Sequence, residues 1–179
     1  LQGSDWNLHN NSEQGLFIDS ATVVVDGLST ADNGFSGAHV FDARYITLSN
    51  LTSVNDGSLG SNSMQQAGLS FQKSNDLETT SGDVVCMHCE VESPQGYGVY
   101  VVDSVDLWFD NLSISEIDST LPAMYVDNGG LSLGTQGGRF NLLNSEIAHE
   151  STTHHALYIE QAAGRIDGLT LTGNHSGIY

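Results

Sequence analysis

GLFID at residues 15–19 is the first copy of a short motif that recurs along the chain and decides the fold. The copies share an alternation of apolar side chains, and most of them end in an acidic residue. The further copies are AHVFD at 38–42, GLSFQ at 68–72, VYVVD at 99–103, AMYVD at 123–127 and ALYIE at 156–160. Self-similarity at intervals of about 20–50 residues is typical of repeat architectures. The sequence therefore predicts one structural unit that is repeated with loops of variable length.

A second alternating stretch follows most copies of the motif. These stretches are VVVDGL at 23–28, ITLSNL at 46–51, LWFDNLSI at 107–114, FNLLNSEI at 140–147 and IDGLTL at 166–171. An alternation of period two indicates β-strands. Each stretch contains a residue type that adopts positive φ at low cost, and we expect a tight bend there between a second and a third strand. These residues are Gly27, Asn50, Asn111, Asn144 and Gly168.

Units of this kind cannot bury their own apolar side, but stacking them in parallel buries a continuous core. The repeat resembles the right-handed parallel β-helix of pectate-lyase-like extracellular proteins. We therefore expect an all-β, right-handed single-stranded parallel β-helix (β-solenoid) of about six coils over residues 15–179, after an N-terminal lead-in over residues 1–14. The resemblance implies an asparagine ladder at the bends, formed by Asn50, Asn111 and Asn144. We also expect the chain to be a segment of a longer solenoid.

The charge of the chain excludes several classes of partner. It carries 22 acidic and 4 basic residues, for a formal net charge of −18. A protein without positive potential gains nothing from counterion release on nucleic acid, and anionic membranes repel it equally. No window approaches the roughly 20 apolar residues of a membrane span. We expect neither nucleic-acid binding nor membrane insertion.

The strand of the recurring motif is expected to present carboxylates beside aromatic rings. Rings pack on the C–H faces of sugars and carboxylates accept their hydroxyl hydrogens, so this face predicts a glycan site. Its residues would be Phe17, Tyr125, Tyr158, Asp103 and Asp127. If the protein is an enzyme, Asp103, Asp127 and Glu160 are the candidate acids and Lys73 a candidate base. A purely architectural role for the acids, which would cap the following turns, is the competing interpretation.

Calcium and the two cysteines leave further alternatives open. Hard cations prefer clustered carboxylates, so a Ca²⁺ site is a third interpretation of the acidic residues, either at Asp19, Asp42, Asp103 and Asp127 or at the loop of residues 56–58. Cys86 and Cys89 have the spacing of metal and redox motifs, but one pair supplies too few ligands for a zinc site. A local disulfide and two reduced thiols both remain possible interpretations.

Two hypotheses of function follow from these patterns. The first is a non-catalytic extracellular or cell-surface protein, such as an adhesin stalk, a filament or a surface-layer element, that binds carbohydrate or other copies of itself. It rests on the absence of catalytic motifs and on the regular repeats. The alternative is a polysaccharide lyase or glycoside hydrolase that acts on the face of the first sheet. The only cofactor that the sequence suggests is Ca²⁺.

Overall fold

A computed structural model describes residues 1–42, 45–72, 83–92, 94–102, 106–115, 120–127, 139–150, 153–173 and 177–179 of the chain. Every element of regular structure in these ranges is a β-strand. The strands are β1 (Gln2–His9), β2 (Leu16–Asp19), β3 (Thr22–Ala31), β4 (Ala38–Phe41), β5 (Tyr45–Val54), β6 (Leu69–Gln72), β7 (Asp83–Glu92), β8 (Val99–Val102), β9 (Asp106–Ser115), β10 (Met124–Asp127), β11 (Arg139–Leu143), β12 (Glu146–Ala148), β13 (Leu157–Glu160), β14 (Ala163–Asp167) and β15 (Thr170–Thr172). No helix within the described ranges has the length and apolarity needed to cross a membrane.

The strands form two sheets in which all pairs are parallel. The long-strand sheet has the order β1-β3-β5-β7-β9-β11-β14, and β12 and β15 pair alongside it. The short-strand sheet has the order β13-β10-β8-β6-β4-β2. From β2 to β14, apart from β12, successive strands alternate between the two sheets, so each sheet is built from every second strand.

This arrangement contradicts the predicted right-handed single-stranded parallel β-helix. The strands lie in two parallel sheets, of nine and six strands, that do not close on each other in the described part of the chain. The expected third strand of each unit does not form a sheet of its own. In β3, β5, β7 and β9 the expected second and third strands are one continuous ten-residue strand. A single left-handed residue bends each of these strands without ending the pairing on either side.

The bend residues form a column across the long-strand sheet. Positive φ occurs at all five residues where the sequence predicts a bend, from 48° at Asn144 to 75° at Gly27. Asp5 and His88 complete the column, because the pairing aligns each of them with its neighbours. The bend shifts the alternation by one residue, so that the buried positions of β3 are 23, 25, 28 and 30. Both halves of each long strand therefore face the core.

The core consists of inward side chains from both sheets. Phe71 of the short-strand sheet meets Phe109 of the long-strand sheet edge to face, with ring centroids 5.6 Å apart. Both rings are at most 1% exposed. Burial of a side chain of this size contributes roughly 1.5–3 kcal/mol, so the contact between the sheets is a main source of stability.

The N-terminal residues are part of the fold. β1 lies within residues 1–14, the stretch that the sequence predicts as a lead-in, and pairs along its length with β3. The Trp6 ring packs directly on Gly3, where a Cβ would lie 2.3 Å from it. Trp6 also packs against the core. The absence of a side chain at Gly3 thus makes room for an indole at this end of the long-strand sheet.

Candidate functional site

The outer face of the short-strand sheet carries a file of aligned residues, five of which have aromatic side chains. The pairing register places one residue of each strand in this file. In sheet order the residues are Phe17, His39, Ser70, Tyr100, Tyr125 and Tyr158. Side chains of a strand alternate between faces, and aligned residues of neighbouring parallel strands lie about 4.8 Å apart. The register therefore brings side chains from distant parts of the sequence into contact.

The last three residues of this file stack on one another, and Tyr179 extends the stack by one ring. We call the stack the tyrosine row: Tyr100, Tyr125, Tyr158 and Tyr179. The ring centroids are separated by 5.2, 5.2 and 4.7 Å in that order. The interplanar angles are 12°, 6° and 7°. Tyr97 packs against the first two rings from the side, at centroid distances of 5.0 and 5.9 Å. The rings are held by one another and by the strand spacing beneath them.

The stacking changes what the tyrosines offer to a ligand. Both ring faces of Tyr125 and of Tyr158 are covered by neighbouring tyrosines. The sequence predicts these two residues as platforms for the C–H face of a sugar, but in this arrangement a sugar cannot reach their ring faces. The ring edges and the hydroxyl groups of these tyrosines remain accessible to a ligand. A phenol hydroxyl both donates and accepts hydrogen bonds, so the row presents evenly spaced polar groups on an apolar support.

Two carboxylates lie beside the tyrosine row. Asp127 and Glu160 follow Tyr125 and Tyr158 by two residues, so they share the outer face, and the two acids are paired in register. The Tyr158 hydroxyl donates to Glu160 Oε2 over 3.5 Å. Burial, followed by the negative charge of Asp127, raises the pKa of Tyr125 to about 12. Burial and Glu160 raise the pKa of Tyr158 in the same direction. Both hydroxyls therefore keep their protons at neutral pH.

The other end of the file is apolar and partly closed. His39 lies 5.3 Å from the ring of Phe17 and 6.4 Å from that of Phe41, measured between centroids. Its side chain is 8% exposed, and burial lowers its pKa below the usual value for histidine. Its register with the exposed Phe17 places His39 in the outer file. This end offers the exposed ring of Phe17, and the exposed Asp19 follows it by two residues on the same face.

The predicted acidic face is less continuous than the sequence suggests. Asp19 is exposed and accepts a hydrogen bond from the Ser20 hydroxyl at 2.7 Å. Asp42 lies one residue after β4 at a φ of 49°, and Phe41 takes the position paired with Asp19. Asp103 and Lys73 lie outside the described residues. Among the predicted acids that the structure describes, Asp127 and Glu160 are brought together on adjacent strands.

The predicted asparagine ladder has a different geometry. Asn50, Asn111 and Asn144 lie in the bend column, but their side chains are exposed. Asn50 Nδ2 donates to Asp26 Oδ1 at 2.7 Å, and Asn144 Nδ2 donates to Asp110 Oδ1 at 2.9 Å. These amides bind carboxylates of the preceding strand in the sheet. These hydrogen bonds stabilise the bends on the solvent-exposed face of the sheet, not in the core.

A buried polar network that the sequence analysis missed lies after the long strands. The Asp56 carboxylate is fully buried and accepts from the hydroxyls of Thr30 and Ser53, each at 2.7 Å. It also accepts from the backbone N–H and the side-chain amide of Asn33, both at 2.9 Å. Asn33 Oδ1 in turn accepts from Asn11. The signal in the sequence is the repeated spacing of Thr30 to Asn33 and Ser53 to Asp56.

This network bears on the predicted cation sites. Asp56 belongs to the loop suggested for Ca²⁺, and an ion there would have to displace four protein donors. No group of three or more His, Cys, Asp or Glu side chains suited to a metal ion occurs in the described ranges. Calcium remains a prediction from the sequence.

The two cysteines form a disulfide across the bend of β7. Cys86 and Cys89 are both buried, with a Cα–Cα distance of 6.2 Å. They take inward positions on either side of His88, whose φ is 53°. The bond therefore fixes the bend at the one position in β3–β9 where the bend residue is neither Gly nor Asn.

Comparison of the chain with protein-family models, with curated proteins and with solved structures finds no match.

Proposed function

We propose that this chain is a non-catalytic binding protein whose short-strand sheet holds a carbohydrate along the tyrosine row. The observation that carries the proposal is the stack of Tyr100, Tyr125, Tyr158 and Tyr179 beside Asp127 and Glu160. Neutral phenol hydroxyls donate and accept, and carboxylates accept, which matches the hydroxyl groups of a glycan chain. A rigid row also loses little side-chain entropy when a ligand binds.

The net charge of the protein limits the type of glycan. A formal charge of −18 repels polyuronates and sulfated chains, so neutral or cationic glycans fit the surface best. The ligand would lie across the strands, because the hydroxyls repeat from strand to strand. Contact through hydroxyls and ring edges predicts binding that depends on hydrogen bonds more than on ring stacking.

An extracellular or cell-surface location is part of the proposal. The buried disulfide between Cys86 and Cys89 supports it, since disulfides persist mainly in oxidising compartments. A reducing cytosol would leave these residues as thiols. Measuring free thiols in protein isolated from its native source would test the location directly, and two reactive thiols after unfolding would contradict it.

The binding test is a glycan array followed by calorimetry on the best ligand. Tyr125→Phe and Tyr158→Phe preserve the stack and remove the hydroxyls. With each lost hydrogen bond worth about 1 kcal/mol, we expect about a fivefold loss of affinity for each substitution. Tyr45→Phe is the matched control, because Tyr45 is 63% exposed and belongs to the long-strand sheet. Unchanged affinity in both test variants, or an equal loss in the control, would contradict the proposal.

A glycoside hydrolase is the second candidate, and one observation favours it. Asp127 and Glu160 are aligned on adjacent strands, a spacing of about 4.8 Å at the backbone. Retaining glycosidases hold their two carboxyl groups roughly 5 Å apart. Product release from a polysaccharide panel that is abolished by Glu160→Gln would favour this candidate. Saturable binding without any product favours the binding protein.

A further inference from the structure

The outer face of the long-strand sheet has a separate cavity that is not part of the tyrosine row. It has a volume of about 220 Å³ and is lined by Asp83, Val85, Asp106, Trp108, Arg139 and Asn141. Three strands, β7, β9 and β11, supply these side chains. The cavity therefore depends on the parallel register rather than on neighbours in the sequence.

The register sorts the lining into two neighbouring files. Val85, Trp108 and Asn141 are aligned on adjacent strands. Asp83 and Asp106 are likewise aligned, and Arg139 lies on the next strand, where its backbone N–H donates to Asp106 Oδ1 at 2.6 Å. A file with two carboxylates and a guanidinium group thus runs beside a file with an indole at its centre.

The aromatic and charged groups are accessible. Trp108 is 45% exposed, although it sits between an apolar and an amide side chain. The Arg139 guanidinium forms no ion pair with a described residue, in contrast to Arg165, which pairs with Asp167. An exposed indole ring and an exposed guanidinium group therefore share one small surface, and both are open to a ligand.

We propose that this cavity binds a small zwitterion that carries an alkylated ammonium group and a carboxylate. The indole of Trp108 attracts a cation over its face, and tryptophan is the best of the aromatic side chains for this contact. Asp83 and Asp106, in the file next to that of Trp108, add negative charge that also attracts a cation. Arg139 offers a fork of donors that matches a carboxylate. A purely cationic ligand would leave Arg139 repelled, and an anionic one would meet the two carboxylates.

The chain offers a clean optical test. It contains two tryptophans, Trp6 and Trp108, so Trp6→Phe makes Trp108 the sole source of indole fluorescence. In this variant we expect trimethylglycine to change the emission saturably. Tetramethylammonium and acetate, which each carry one of the two charges, should bind more weakly. Equal affinity for tetramethylammonium and trimethylglycine, or the lack of any saturable change, would overturn the proposal.

Substitutions separate the contribution of each group. Arg139→Gln should weaken trimethylglycine binding about tenfold, as expected for one charge-assisted contact. Arg165→Gln is the matched control, because Arg165 is already paired outside the cavity. By calorimetry, Trp108→Leu should reduce the affinity about fivefold, and its exposed position leaves the core intact. Full affinity in Arg139→Gln or Trp108→Leu, or an equal loss in the control, would overturn the proposal.

Discussion

Removal of the Asp56 carboxylate should be among the most destabilising single substitutions in the described chain. Four donors point at this fully buried group, from Thr30, Ser53 and two nitrogens of Asn33. In Asp56→Ala the Ser53 hydroxyl still has a contact to Gly68 O at 3.4 Å, and the Asn33 amide keeps Leu8 O. The Thr30 hydroxyl and the Asn33 backbone N–H would then have no hydrogen-bond partner among the described residues.

The magnitude follows from these two donors. A buried donor without a partner costs about 1–3 kcal/mol, so Asp56→Ala should lower the free energy of unfolding by about 4 kcal/mol. Asp56→Asn keeps one acceptor oxygen, and its amide can donate to the hydroxyls. The loss there should be about 1–2 kcal/mol, which reflects the charge removed from the hydrogen bonds.

Urea unfolding followed by far-UV circular dichroism measures both values by linear extrapolation. Asp32→Asn is the matched control, since Asp32 is exposed and accepts one hydrogen bond, from Asn55. Its effect should stay within about 0.5 kcal/mol. A loss below about 1 kcal/mol in Asp56→Ala would refute the reasoning, because the donors would then have found other partners at little cost.

Three further predictions concern the bends and the tyrosine row. Replacing Cys86 and Cys89 with alanine should cost about 2 kcal/mol on the chain-entropy estimate for so short a loop, measured by urea unfolding; an unchanged midpoint would contradict it. Asn111→Ala should cost about 1 kcal/mol because of its positive φ, whereas Asn111→Gly should be nearly neutral; equal effects would argue against backbone strain. The Tyr125 pKa is raised from 10.0 to about 12, so the unfolded chain loses this proton first and stability should fall as pH rises through that interval. Absorbance titration of the wild type against Tyr125→Phe measures the ionisation, and a normal pKa would contradict the burial argument.

The sequence predicted the strands and their bends well, because both depend on local properties. Alternation alone places β3, β5 and β9, and the residue types at Gly27 and Asn111 predict the positive φ that the structure has. Closure of the sheets depends on how a bend changes the strand direction. The bends leave the long strands continuous, so the expected third strand and the closed helix do not form. This outcome depends on pairing across the whole sheet.

The site was predicted in part, and the errors have a common cause. Aligning the repeats on their acidic ends placed Asp42 beside Asp19. The structure pairs Phe41 with Asp19 instead, a shift of one residue that reverses the faces of β4. The same shift turns Tyr100 outward and completes the tyrosine row. A one-residue difference in register exchanges the two faces of a strand, and residue type at one end does not determine it.

The column of left-handed residues across the long-strand sheet predicts how the gene can vary. In a library of random variants selected for folded protein, these positions should accept few residue types, mainly glycine, asparagine and aspartate. The outward positions next to them should accept many residues, because their side chains meet solvent. Sequencing the survivors would therefore reveal seven widely spaced codons that tolerate few substitutions. Five lie in β1, β3, β5, β7 and β9, one lies between β11 and β12, and one lies between β14 and β15. This series marks the repeat without any structural measurement. The members of that series are Asp5, Gly27, Asn50, His88, Asn111, Asn144 and Gly168.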